Sequence, residues 1–507
     1  MNRTRLAIAL ALGIATAIFV CPAAWSLTHS GTSAIPIAVL AAALATFGAL
    51  RSPQLRAVPA TPPKALAITA TLVTLAALVV FARLAVFMVA PSQVGYSSMP
   101  MSKFEVAHSC VTAYYVAGRA ASGSHDIYAD SLYTARDDDP TKIRKPLMMG
   151  PFRIDVFEYP PPFLLLPRLL LPVTPDFMSF RMLWFGLNGL FVLLAMILTA
   201  RLLAPAAGAR ALLFMPLAWF ALPTLSVMQK GNVQAMVIAA AMLAMVLFER
   251  RRFAAGGALL AFAAVSKLYP GLLIVYLAAR REWRALAWTA GFGVVFAVAT
   301  AIDLGPAVYQ VFLRHLPGLL GGEAFPAFRN PNAIAINYSI PGLVFKLKLF
   351  GIAGASFTAS KLLGWIYTVV AVAATIALAR RAQHDDEKPL AWLAVLILAT
   401  LRSPFLPGGY AAFPALWLLT LIAARYEPTP RVLAYTLLSW VFLAMMFPPD
   451  TPLDPRWLAL VSGVPQLAMI LITVLVVQGR FSARAPAPMA ALGAPPPVPA
   501  VERGRIR

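Results

Sequence analysis

Long apolar stretches recur through this chain, at about residues 5–27, 34–50, 66–90, 180–202, 211–227, 232–248, 284–302, 360–379, 389–404, 410–424, 431–447 and 458–477. A hydrocarbon layer about 30 Å thick takes roughly 20 such residues as a helix, and the shorter stretches need kinks or burial. Inside that layer every backbone N–H and C=O must be satisfied within its own element, so runs rich in Ala and Leu form helices and not open sheets. The expected fold class is all-α, a polytopic membrane bundle of about twelve transmembrane helices.

Composition excludes the soluble alternatives. Of the 507 residues 60% are hydrophobic and 12% charged, whereas a soluble domain carries about 25% charged residues. The net charge of +22 does not indicate nucleic acid, because Arg and Lys punctuate the apolar segments instead of forming one patch. Basic clusters at Arg51 to Lys64, Arg201 to Arg210, Arg250 to Arg252, Arg280-Arg281, Arg380-Arg381, Arg425 to Arg431 and Arg480 to Arg484 all favour the cytoplasm. Twelve crossings with both termini inside satisfy every one of them. The two cysteines, Cys21 and Cys110, lie at different expected depths, so neither a disulfide nor a zinc site is expected.

The first apolar stretch has the basic start and small residues of a signal peptide, but Ile35 to Leu50 follows at once, and a retained helical hairpin uses both. Four regions result: N-terminal helices over 1–90, an outer loop over 91–179, a bundle over 180–477, and a disordered cytoplasmic tail over 478–507 rich in Pro. Residues 253–279 are long enough to cross, yet basic clusters flank both ends. A re-entrant hairpin turning at Lys267-Leu268-Tyr269-Pro270 resolves this, since Pro270 breaks a helix. The first outer loop should hold an amphipathic helix from Phe104 to Ala121 and an interfacial segment from Tyr159 to Pro172. A second outer loop covers 303–337. Loops this long are usually functional.

Several short motifs occur in order: Tyr114-Tyr115-Val116-Ala117-Gly118-Arg119 and Asp126-Ile127-Tyr128, then Phe157-Glu158-Tyr159-Pro160-Pro161-Pro162-Phe163. Gln229-Lys230-Gly231-Asn232, Gly256-Gly257-Ala258, Ser266-Lys267-Leu268-Tyr269-Pro270, Asn337-Tyr338-Ser339 and Arg402-Ser403-Pro404 follow. Together, across most of residues 66 to 440, they resemble glycosyltransferase family 87, the polytopic mannosyltransferases that use polyprenyl-phosphate sugars. The resemblance implies a GT-C type fold in which a carboxylate on the large first outer loop activates an acceptor hydroxyl. It implies a polyprenyl-phosphate sugar donor as well. One position departs from the family pattern: many relatives have Asp about four residues before the Tyr-Tyr pair, where this chain has Cys110. Cysteine is a poor general base for sugar transfer, so the role has moved to a neighbour or the chemistry differs.

Sugar transfer from a lipid phosphate needs a base for the acceptor hydroxyl and cations for the departing phosphate. Glu105 and His108 stand at i and i+3 on the expected helix, where a carboxylate can orient an imidazole. A helix-start acid also favours the macrodipole without any catalytic role. Asp126 is the third catalytic candidate, although Asp beside Gly123 and Ser124 suits a turn. Asp155 and Glu158 are second-line bases, and Asp137-Asp138-Asp139 reads as a solvated acidic turn and not as a metal site.

Lys267 is the leading phosphate ligand, because a charge in an apolar segment is costly and faces a cavity or partner. Arg402 and Lys230 are further cations for substrate, with Arg329 behind them; for Arg402, snorkelling is the alternative. Asn232, Tyr159, Asn337 and Gln234 are candidates for sugar contacts, with helix capping the simpler role for Asn232. No metal and no cofactor is expected.

The expected function is an inverting, metal-independent membrane glycosyltransferase. It would move a sugar, mannose by the resemblance, from a polyprenyl phosphate to a lipid or glycan acceptor at the periplasmic face of a bacterial inner membrane. A transporter or flippase of lipid-linked intermediates is the alternative, but no inverted repeat is visible and the ionisable residues gather at span ends and loops. An assembly protein would tolerate loss of the candidate bases and of Lys267.

Overall fold

The structure is a computed structural model and describes residues 2–59, 62–121, 126–135, 145–174 and 176–481. The Asp137-Asp138-Asp139 turn and the tail beyond Phe481 lie outside the described residues. Among the described residues, seven helices are long and apolar enough to cross a membrane: Arg3–Thr28, Gly31–Leu50, Lys64–Val89, Phe177–Ala200, Trp283–Leu304, Phe357–Arg381 and Pro455–Val477. An eighth crossing is bent, with Pro205–Phe220 and Leu222–Lys230 meeting at 66°. Its break falls at Ala221, just before Pro223, which cannot continue the ladder of the preceding helix.

The four remaining expected spans are also helices, but shorter: Gln234–Glu249, Lys388–Thr400, Gly408–Ala424 and Pro430–Ala444. The first three are buried along almost their whole length. Neighbouring helices rather than lipid cover them, so they need not match the bilayer thickness. Their Ala-rich surfaces let backbones approach closely, with Trp392 and Trp417 filling the centre.

The basic clusters converge on one end of the bundle. Arg210 binds Glu427, Arg425 binds Asp386, and Lys388 bridges Asp385 and Glu249. Arg280 donates to the carbonyls of Ala379 and Ala382, and Arg381 to that of Val477. This chain of contacts also tests the re-entrant segment. Glu249 precedes it and Arg280 follows it, and both join the same cluster, so residues 253–279 leave and return to one end.

The flanking helices agree: Gly257 lies against Trp288 and Phe262 against Phe296, so Phe253–Ser266 and Trp283–Leu304 run parallel. The segment between them must therefore double back. Cysteines placed at Arg251 and Arg281 are expected to react from the same side of the membrane, opposite to one at Ser98. Labelling of the Arg281 position from the Ser98 side would replace the hairpin with an ordinary crossing.

The first long loop differs from its expected form. Instead of one helix from Phe104 to Ala121, there are two, Lys103–Ala107 and Val111–Ala120, separated by a two-residue strand at His108-Ser109. The reason is tertiary: the strand pairs parallel with Phe152–Ile154, whose other edge pairs antiparallel with Met148-Met149. Pairing with a partner 45 residues away pulls the backbone out of helical geometry. The second long loop is more ordered than expected, with a helix over Ala307–Gly321. Arg168 ties the interfacial segment to it through Asp303 (2.5 Å).

Candidate active site

A cavity of about 800 Å³ opens where the first loop meets the tip of the re-entrant hairpin. Its floor is built on the Gln229-Lys230-Gly231-Asn232 turn. Gly231 ends the Leu222–Lys230 helix in the left-handed region, at φ 64°. A Cβ there would also lie 2.2 Å from Val111, so both backbone and space require glycine. The turn pins the loop, because the Cys110 N–H donates to the Lys230 carbonyl (2.9 Å) and Trp184 Nε1 to that of Gly231 (2.8 Å). Asn232 caps the next helix by accepting from the Gln234 N–H, and its Nδ2 reaches Cys110 Sγ (3.2 Å) and Tyr159 Oη (3.4 Å). Capping and cavity lining are combined in this one residue.

The Glu105–His108 pair does not form. His108 is outside the helix, and Glu105 turns away into the bundle, where Oε1 meets Lys230 Nζ at 2.6 Å and Oε2 accepts from Ser226 at 2.8 Å. Both side chains of the ion pair are at most 3% exposed. Lys230 is thereby paired with Glu105 and packed near the rings of Phe104 and Tyr410, and both residues of the pair line the cavity.

His108 meets Asp155 instead. The register of the parallel pair sets Ile154 beside Ser109, so the next residue, Asp155, arrives against the histidine, with Oδ2 at 3.4 Å from Nε2. Cys110 Sγ lies 3.4 Å from the same nitrogen and 3.2 Å from Tyr410 Oη. Burial disfavours the imidazolium, but the Asp155 carboxylate and Cys110 more than offset this and push His108 up to about 10. Burial would raise Asp155, yet the facing His108 charge and hydrogen bond hold it below the usual carboxylate range. Glu158 goes the other way: burial and the Asp155 charge push it up to about 8, so at neutral pH it keeps its proton. Asp155 is thus the ionised carboxylate facing the cavity, its side chain 37% exposed.

Two cations, Lys267 and Arg402, line the same cavity. Lys267 sits in extended geometry at the hairpin break, donates to Gln234 Oε1 (3.1 Å) and lies 5.3 Å from the centre of the Tyr159 ring. Arg402 donates to Thr368 (2.7 Å) and packs on Trp365. Among the described residues neither is in an ion pair. Tyr159 is held by Tyr114, whose hydroxyl donates to it (3.1 Å) and accepts from the Val233 N–H (3.0 Å).

Two expected site residues lie elsewhere. Asp126 is exposed in a turn, accepting from the Tyr128 N–H, and is not among the cavity-lining residues. Asn337 is fully buried and staples its loop to the stretch after Arg402, bonding the Pro404 carbonyl and the N–H groups of Leu406 and Ser339. Its amide is consumed by the backbone. Asp155 was visible in the sequence as an acid beside the Tyr-Pro-Pro motif; its partnership with His108 and Cys110 was not, because no local period connects them.

Against known proteins, the model of glycosyltransferase family 87 matches residues 157–407. No curated protein and no solved structure matches the chain. The matched region runs from the segment holding Glu158 and Tyr159 to the end of the Arg402 loop, so it takes in the cavity floor and both unpaired cations. Apolar helices surround that cavity, and the chain belongs to glycosyltransferase family 87, a multi-pass membrane glycosyltransferase.

Proposed function

We propose that the enzyme transfers a sugar, mannose in the first instance, from a polyprenyl phosphate to a hydroxyl of a lipid or glycan acceptor. The reaction takes place at the outer face of a bacterial cytoplasmic membrane. The observation that carries this reading is that one cavity has an ionised carboxylate, Asp155, on its loop wall and two unpaired cations, Lys267 and Arg402, on its membrane wall. The acceptor oxygen attacks C1 of the sugar from the loop side while the bond from C1 to the phosphate oxygen breaks. Asp155 receives the acceptor proton, and the phosphate leaves with the bonding pair, its charge met by Lys267 and Arg402. Attack opposite the leaving group inverts C1. Glu158, protonated at neutral pH, can donate to a sugar hydroxyl, and Asn232 and Tyr159 lie beside it on the same wall. Apolar residues such as Phe312, Leu316 and Leu320 line the route for the prenyl chain.

Lys267→Ala is expected to lower transfer from polyprenyl-phosphate mannose by about 100-fold to 1,000-fold, as for other groups that meet transition-state charge. Expression and elution profile should stay unchanged. Lys267→Arg should recover part of the rate, since it restores charge but not shape. The assay is transfer to endogenous membrane acceptors at matched protein levels. A wild-type rate in the alanine variant would remove Lys267 from the mechanism, and energy-dependent movement of the donor across vesicles without transfer would favour a flippase.

A further inference from the structure

His108 Nε2 stands 3.4 Å from both Cys110 Sγ and Asp155 Oδ2, and the three atoms all lie within 4.8 Å of one another. A nucleophilic relay places carboxylate and nucleophile on opposite nitrogens of the imidazole, so that the ring is oriented from one side while it takes a proton on the other. Here thiol and carboxylate approach the same nitrogen. The ring cannot relay between them, and the three atoms face a common point instead. Tetrahedral zinc, with a nitrogen or oxygen ligand at about 2.0 Å and a sulfur at about 2.3 Å, sets its ligands roughly 3.3 to 3.6 Å apart. Both His108 contacts have that spacing.

The geometry points to a zinc site in which His108 Nε2, Cys110 Sγ and Asp155 Oδ2 hold one ion, with the fourth position open to the cavity. The donor set is one that zinc accepts: imidazole, thiolate and carboxylate. Thiolate and carboxylate together cancel the charge of the ion. Outer partners are present as well. Asn232 Nδ2 and Tyr410 Oη each stand 3.2 Å from Cys110 Sγ and can donate to a thiolate, and the nearby Lys230 charge is already matched by Glu105.

Three protein ligands with an open position are the pattern of catalytic zinc, and four the pattern of structural zinc. All three ligands line the cavity and Asp155 is the most exposed of them, so the open position faces the cavity. What the ion does there rests on the transferase reading: the acceptor oxygen becomes its fourth ligand and is acidified, and the second oxygen of Asp155 takes the proton. Whether the ion binds does not rest on that reading.

The test uses the full-length protein purified in detergent, stripped with EDTA and titrated with zinc or cobalt(II). The expected result is one equivalent of zinc per chain and, with cobalt, a thiolate-to-metal charge-transfer band. The band should persist in Cys21→Ser and vanish in Cys110→Ser. His108→Ala should weaken binding by more than about 100-fold, beyond the 10-fold to 100-fold typical of outer-shell losses. Stripped protein that elutes as a single folded species yet takes up neither metal overturns the site, as does a cobalt band that survives in Cys110→Ser. Stoichiometric zinc in a protein that transfers no sugar from a polyprenyl phosphate upholds the site and removes the donor reading. Full transfer by metal-free protein overturns the zinc role and leaves that reading standing.

Discussion

Asp155→Asn is expected to lower sugar transfer by about 100-fold to 10,000-fold, the range for loss of a group that moves a proton in the transition state. Asparagine keeps the shape of the side chain and leaves in place the backbone bond from residue 155 to Thr112 (2.9 Å), so the loop sheet should survive. What is lost is the negative charge. Without it the amide cannot accept the acceptor proton and no longer answers the His108 charge. The loss should fall on kcat, with KM for the lipid donor little changed, because in the proposed mechanism Lys267 and Arg402, and not Asp155, meet the donor phosphate. Asp126→Asn, in an exposed turn, should transfer at close to the wild-type rate. Turnover measured for both variants at matched expression decides the matter. Normal turnover in Asp155→Asn would move proton acceptance elsewhere, with Glu158 the next carboxyl in the cavity.

Glu105→Gln is expected to destabilise the protein by about 3–5 kcal/mol, the usual result of removing one partner from a buried ion pair. Lys230, 3% exposed, would be left buried with no carboxylate to meet it. Because the pair ties the first loop to the Leu222–Lys230 helix, the loss should appear as a lower thermal midpoint in detergent. Combining Glu105→Gln with Lys230→Met should recover most of that midpoint, since the stranded charge is removed with its partner. If Glu105 instead served as the base, Glu105→Gln would keep its midpoint while turnover collapsed. The two roles therefore separate in a single melting curve read beside a rate.

All twelve expected spans are helices in the structure because helix formation in an apolar medium is a local requirement: each segment must satisfy its own backbone, and its side chains show whether it can. The break at Lys267 to Pro270 and the turn at Gly231 were equally local, one from proline and a stranded charge, the other from a helix end. Arginine placement carried the gathering of basic clusters at one end of the bundle, since charge at span ends is a property of each end alone. Where these rules overreached, a distant partner had intervened. Asn337 has the composition of a sugar ligand, but the backbone of Pro404 to Leu406 takes its amide.

From sequence alone the chain is an all-α membrane bundle with a long first loop and a lysine at a hairpin tip. Which acid stands beside His108 was decided only by tertiary structure. Helical spacing put Glu105 with His108, but strand pairing with Phe152–Ile154 rotated His108 toward Asp155, while Lys230, 125 residues along the chain, drew Glu105 inward. Local energetics choose helices residue by residue. The identity of a site depends on which segments pack together, and contacts between distant residues leave no period in the sequence to read.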